Sequence, residues 1–175
     1  MRDTALSDTI EVRVREDCDL EGCIELTQVV HDVDRYPLVR QANIADFLTS
    51  PRLIIAWVAE RGGRVVGHVA LHRGSSRAMA SMVSEALSVE PDRIGVVSRL
   101  MVSPSARRRG VGRQLLWTAT TEAARRGRAP ALDVVTTYAA AIALYERAGW
   151  RRVGTITPAM PDGDRVDEYV YVGPT

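Results

Sequence analysis

The chain predicts an α/β (α+β) domain built on a mixed sheet with helices on both faces, and three observations carry that expectation. Residues 98–128, SRLMVSPSARRRGVGRQLLWTATTEAARRGR, read as a strand, a basic glycine turn and a helix. LIIAWVAE (53–60) and RVVGHVALH (64–72) are β-rich runs separated by Gly62-Gly63, a hairpin signal because the favoured two-residue turns need positive φ. The predicted elements follow the order β α α β β (α) β α β α β β, which interleaves strands with helices.

Taken in order, Ile10–Arg15 alternates apolar and charged residues and reads as a first strand. Asp17 or Asp19 can cap a helix reaching to about Val30, with Leu20, Ile24, Leu26 and Val30 on its apolar side. Pro37 breaks the pattern, and ANIADFLTS forms a short second helix ended by Pro51. After the hairpin, the Ala/Met-rich run Ser76–Leu87 reads as a short inserted helix. The strand ending at Val102 leads into a helix with apolar residues at Val111, Leu115, Ala119 and Ala123. Ala131–Thr136 reads as a fifth strand, and Ala139–Ala148 as a helix capped by Thr137 and closed by Gly149. WRRVGTI and DEYVYV supply two last strands, joined through the turn sequence Pro161-Asp162-Gly163-Asp164.

At 175 residues the chain is expected to form one domain, 1–175, with a substantial core. Its net charge of +1 argues against a general nucleic-acid binder. The charge is unevenly spread: residues 1–50 hold eleven acids against five arginines, whereas 99–128 hold eight arginines against Glu122. An anionic cofactor on one side and a cationic acceptor on the other would suit that split. Cys18 and Cys23, the only cysteines, suit neither a zinc pair nor a disulfide framework. No apolar run approaches the ~20 residues of a membrane span, and the first residues lack the apolar core of a signal peptide. A soluble, cytoplasmic protein without membrane partners is expected.

The glycine turn carries the chemistry. A helix start leaves about four backbone N–H groups unpaired and concentrates positive dipole there, which favours a bound phosphate. Gly110 and Gly112 let a diphosphate approach the main chain, and Arg107, Arg108, Arg109 and Arg113 add charge around Val111. Two familiar phosphate loops do not fit. A Walker A loop ends in Gly-Lys-Ser/Thr, and this chain has no lysine at all. The dinucleotide fingerprint needs a third glycine where Leu115 stands.

The turn resembles motif A of the GNAT superfamily of acyl-CoA-dependent N-acyltransferases, (Q/R)-x-x-G-x-(G/A), with Arg107, Gly110 and Gly112 in the defining positions. Ile142–Trp150, IALYERAGW, resembles the family's motif B at the expected interval. The resemblance implies the GNAT fold: a mostly antiparallel sheet of about seven strands, splayed between the fourth and fifth. It further implies an N-acetyltransferase that binds acetyl-CoA along Leu100, Met101 and Val102 and over residues 107–113. Tyr145 falls on the tyrosine that serves the family as general acid, and the Val102 amide would stabilise the oxyanion of the attacked thioester. Homodimers are common in the family.

Two positions depart from the family pattern. Tyr138 stands where an asparagine often meets the pantetheine arm, and Ser98 stands where many members carry a general-base glutamate. A lysine-like amine of pKa ~10.4 is neutral in only about one molecule in 10³ at pH 7. Another group or a water chain must therefore remove its proton. Asp32, Asp34 and Tyr36, in the loop that borders the acceptor in this family, are candidates to bind the amine, together with His68. His68 and His72 share a strand face at ~13 Å, too far apart for one metal, and no metal site is expected. A non-catalytic acyl-CoA-binding or regulatory domain is the alternative reading, suggested by the same two departures.

Overall fold

A computed structural model describes residues 9–160 and 163–174. In chain order these form β1 (Ile10–Val14), α1 (Leu20–Asp34), α2 (Ile44–Leu48), β2 (Leu53–Arg61), β3 (Arg64–Arg73), α3 (Arg77–Leu87) and β4 (Ile94–Val102). There follow α4 (Val111–Arg125), β5 (Ala129–Val135), α5 (Ala139–Arg147), β6 (Arg151–Ile156) and β7 (Glu168–Val172). The strand order is β1-β2-β3-β4-β5-β7-β6, the mixed, mostly antiparallel sheet that the resemblance implied. Contacts divide the chain into two compact units, Met1–Ala70 with Arg99–Leu116, and Leu71–Ser98 with Trp117–Thr175.

In the first unit β1 lies antiparallel to β2, from Ile10 opposite Arg61 to Val14 opposite Trp57. Helix α1 buries Cys23, Leu26 and Val30, positions of one helical face, against Leu48, Val58 and Met101. It runs one turn past Val30, where the apolar pattern ends, because nothing up to Asp34 breaks it. Arg35 then closes it in the left-handed conformation (φ 60°), its N–H donating to the His31 carbonyl at 2.9 Å. Cys18 lies in the 3-10 turn before α1 and is exposed, and both cysteines are free. The β2–β3 turn has Gly62 and Gly63 at φ 57° and 77°, the positive values its sequence predicts.

In the second unit β4 and β5 run parallel, and β7 is antiparallel to both β5 and β6. The inserted run is a helix: Ser76 caps α3 by accepting from the Met79 amide at 3.2 Å. Met79 and Val83 pack on Ile94, Val96, Ala131, Ile156, Val170 and Val172. Helix α5 starts at Ala139, as its sequence suggests, but on a different cap. The first helical carbonyl is that of Tyr138, which accepts from the Ile142 amide at 3.0 Å, so Tyr138 rather than Thr137 is the N-cap. Of the turn at 161–164, Pro161 and Asp162 lie outside the described residues. Gly163 has φ 89°, and the Met160 amide donates to the Asp164 carbonyl at 2.8 Å.

Candidate active site

The pairing of β4 with β5 runs from Ile94 opposite Ala129 to Val96 opposite Ala131 and stops there, although β5 continues to Val135. The pairing thus covers the first three residues of each strand. Along β4 the backbone breaks at Arg99, a non-glycine residue held at φ 53°. Its carbonyl accepts from His68 Nδ1 at 2.9 Å, while His68 Nε2 lies 3.3 Å from Arg15 Nη1. The carbonyl can only accept, so Nδ1 carries the proton and Nε2 receives the guanidinium. His68 is fully buried, and burial holds its pKa down to about 4. The ring is therefore neutral, with both nitrogens engaged. The Arg99 guanidinium lies over the Phe47 ring at 4.4 Å.

Leu100 is half-buried, Met101 sits in the first unit's core and Val102 ends β4. A 3-10 turn at Pro104–Ala106 follows, Arg108 and Gly110 take positive φ (64° and 81°), and α4 begins at Val111. The Gln114 amide donates to the Gly110 carbonyl at 3.0 Å, so the amides of Val111, Gly112 and Arg113 precede the first intrahelical bond. A Cβ built on Gly110 would meet nothing within 4 Å. The glycine is required by the backbone conformation, and the space beside it is open. Arg108, Arg109 and Arg113 are exposed, whereas Arg107 turns away from the turn. It donates through Nη1 to Asp34 Oδ1 at 3.1 Å, through Nη2 to Asp34 Oδ2, and through Nε to the Val102 carbonyl at 3.2 Å. Two residues expected to bind different ligands are thus bound to each other. Tyr36 packs, half-buried, against the first unit's core.

In the second unit Tyr145 is buried, its ring 6.1 Å from those of both Trp150 and Tyr171. The Tyr171 hydroxyl donates to Glu146 Oε1 at 2.9 Å. Tyr138 is half-buried at the start of α5. Ser98 Oγ lies 2.8 Å from Nδ1 of the buried His72. Sequence reasoning missed that pair, and the period-two match of His72 with His68 was the one available signal. It also passed over Asp133 and Glu168. The Glu168 carboxyl is pushed up to about 7, first by burial and then by the charge of Asp133. Asp133 is a charge inside the otherwise apolar run ALDVV, which is the feature that could have exposed it. Among the described residues no group of three or more His, Cys, Asp or Glu could hold a metal, and no helix is long and apolar enough to cross a membrane.

Comparison with known proteins agrees with this architecture. The profile of the acetyltransferase (GNAT) family matches residues 20–150. The chain belongs to that family and is an acyltransferase. The fold is similar to that of Arabidopsis thaliana NAA60 solved with acetyl-CoA (TM-score 0.72, 21% identity, covering 94% of this chain and 97% of that one). It is also similar to the ribosomal-protein-S18-alanine N-acetyltransferase of Escherichia coli (0.67, 21%, 95% and 94%). A third similar structure is the ribosomal-protein-alanine N-acetyltransferase of Brucella melitensis (0.69, 23%, 94% and 99%). No curated protein sequence matches the chain.

Proposed function

We propose that the chain is an acetyl-CoA-dependent N-acetyltransferase in which a primary amine attacks the thioester directly within a ternary complex. The observation that carries this reading is the turn between β4 and α4. It has a left-handed Gly110 with open space beside it, three helix-start amides and three exposed arginines, the donor set a diphosphate requires. Residues 107–113 would hold the diphosphate, with Arg107 bracing the turn through Asp34 while the exposed Arg108, Arg109 and Arg113 add positive charge around it. The Val102 amide would receive the developing oxyanion. Tyr145 would give its proton to the leaving thiolate. A thiolate whose conjugate acid has pKa ~8.5 leaves with modest help, so that step is assisted rather than enabled.

The acceptor we propose to test first is a peptide α-amine, since the names of two structurally similar proteins specify alanine of ribosomal proteins. A second reading, acyl-CoA binding without turnover, is favoured by one observation: the position of the usual glutamate carries Ser98, hydrogen-bonded to His72. Coenzyme A should raise the melting temperature under both readings. Thiol release from acetyl-CoA is then measured with an Ala-initiated hexapeptide, spermidine, lysine and kanamycin. Turnover with any of them supports the enzyme. A melting shift without thiol release from the whole panel supports the sensor, and the absence of a shift defeats both.

A further inference from the structure

Of the described non-glycine residues with positive φ, Arg35 and Ser88 close helices and Arg108 lies in the turn before α4, whereas Arg99 stands inside a strand. Helix ends and turns use that conformation routinely. A strand does not, because the side chain then crowds the following carbonyl and the pleat is broken. Such a backbone persists only where its surroundings hold it, and residues of this kind gather at working sites.

Arg99 is held at both its main chain and its side chain. Its carbonyl accepts from His68 Nδ1 at 2.9 Å, and its guanidinium lies over the Phe47 ring. His68 is itself fixed: it is fully buried, and its Nε2 lies 3.3 Å from Arg15 Nη1. The same Arg15 nitrogen donates to the Leu48 carbonyl at 2.9 Å, and the Arg15 amide donates to the Ala56 carbonyl at 2.9 Å. Phe47 and Leu48 are the last two residues of α2, so one short helix grips Arg99 by two routes. The far end of the segment is held as well. The Val102 carbonyl accepts from Arg107 Nε at 3.2 Å, and the Ser103 amide donates to the Val66 carbonyl at 2.8 Å. All of these residues belong to the first unit.

We propose that His68 is a positioning residue of the acetyl transfer, which acts through the Arg99 carbonyl to set how the end of β4 presents its amides to acetyl-CoA. The inference rests on the N-acetyltransferase reading. Its physical link is the planarity of the peptide: the Arg99 carbonyl and the Leu100 N–H share one rigid plane and point in opposite directions. Fixing the carbonyl therefore fixes the N–H. The amides of Leu100, Met101 and Val102 lie between two anchored peptides, and Val102 is the residue whose amide would receive the oxyanion. Donors of that kind work only when they are aimed beforehand.

Two substitutions separate bulk from the hydrogen bond. Gln keeps most of the volume and can place its amide where Nε2 lies, whereas the smaller Asn can place an N–H where Nδ1 lies. In the thiol-release assay, with whichever amine of the panel turns over, His68→Gln should lower kcat by ~10²-fold. KM for acetyl-CoA should stay within about threefold of wild type, since the lost interaction belongs to the transition state. His68→Asn leaves a void and should melt lower than His68→Gln, yet its kcat should be at least about tenfold higher. A histidine that only packs predicts the opposite order. That order, or a His68→Gln enzyme within about threefold of wild-type kcat, overturns the assignment. Should His68→Gln not fold, His68→Met, which also lacks the donor, takes its place with the same expectation.

A second measurement needs no turnover. Acetyl-CoA labelled with 13C at its carbonyl is bound without acceptor, and the carbonyl signal should move downfield in the wild type and in His68→Asn but stay near its free position in His68→Gln. The same movement in all three proteins overturns the proposal. Binding without turnover defeats the enzyme reading and leaves this comparison to decide the role of His68. A wild type that does not bind acetyl-CoA defeats both.

Discussion

Arg107 donates to Asp34 and to the Val102 carbonyl, so its guanidinium is engaged before any ligand arrives. Both partners are about one-third exposed, and ion pairs of that exposure contribute only ~0.2–1 kcal/mol. Asp34→Asn should therefore lower the melting temperature by a few degrees at most, at ~2–4 °C per kcal/mol for a chain of this size. Because the same arginine ties the turn to the end of β4, Arg107→Ala should raise KM for acetyl-CoA while leaving the fold intact. Initial rates and melting curves on the same preparations separate the two effects. Tyr145→Phe keeps the ring contacts with Trp150 and Tyr171 and removes the hydroxyl alone. Its expected signature is a drop in kcat within the ~10² to 10⁴ range of general acids, with thermal stability unchanged. At this scale the sequence placed Arg107 and Asp34 near ligands from their motif and loop positions. It could not show that they meet, because an ion pair between positions 34 and 107 depends on the fold.

The glycines separate two kinds of constraint on the elements. Gly67 on β3 faces the α4 residues Val111 and Leu115, and an added Cβ would lie 2.9 Å from Leu115 Cδ1 and 3.0 Å from Ala59 Cβ. Gly67→Ala should destabilise by roughly 1–3 kcal/mol through overpacking, read as a lower denaturant midpoint. Gly110→Ala meets no neighbour and bears only the left-handed backbone penalty of roughly 1–2 kcal/mol. Its larger effect should be on acetyl-CoA KM. Element identities were legible wherever periodicity was strong: α4 buries Val111, Leu115, Ala119 and Ala123 as its spacing predicts. Element ends were less legible. The closure of α1 at Arg35 and the cap of α5 at Tyr138 follow from backbone bonds that no side-chain pattern announces.

For the whole molecule, the acidic first fifty residues and the basic middle are not simply two faces awaiting two ligands. Asp19 takes both guanidinium nitrogens of Arg13 at 2.7 Å, and Asp34 takes Arg107, so part of each excess is spent internally. Asp19 is held below its usual range chiefly by Arg13. Its stabilising contribution is present above about pH 4 and is lost as pH falls below that. His68 and Glu168 act in opposite directions. His68, lowered to about 4, binds its proton more readily when unfolded, so it makes stability rise with pH from about 4 to 6.5. Glu168, raised to about 7 from 4.5, binds its proton more readily when folded, so it makes stability fall from about 4.5 to 7. Across 4.5 to 6.5 these two contributions oppose each other, and Asp133, also raised by burial, adds to the fall. His68→Gln should expose the falling slope and Glu168→Gln the rising one, both measurable by urea titration at stepped pH.

The reversed backbone at Arg99 bears on protein engineering. Replacing it with glycine would relax the main chain, and a stability screen could reward the change. It would also delete the guanidinium that lies over Phe47 and hand the bend to a residue free to straighten. A variant selected for heat tolerance at this position would then show a looser fourth strand and poorer turnover at ordinary temperature.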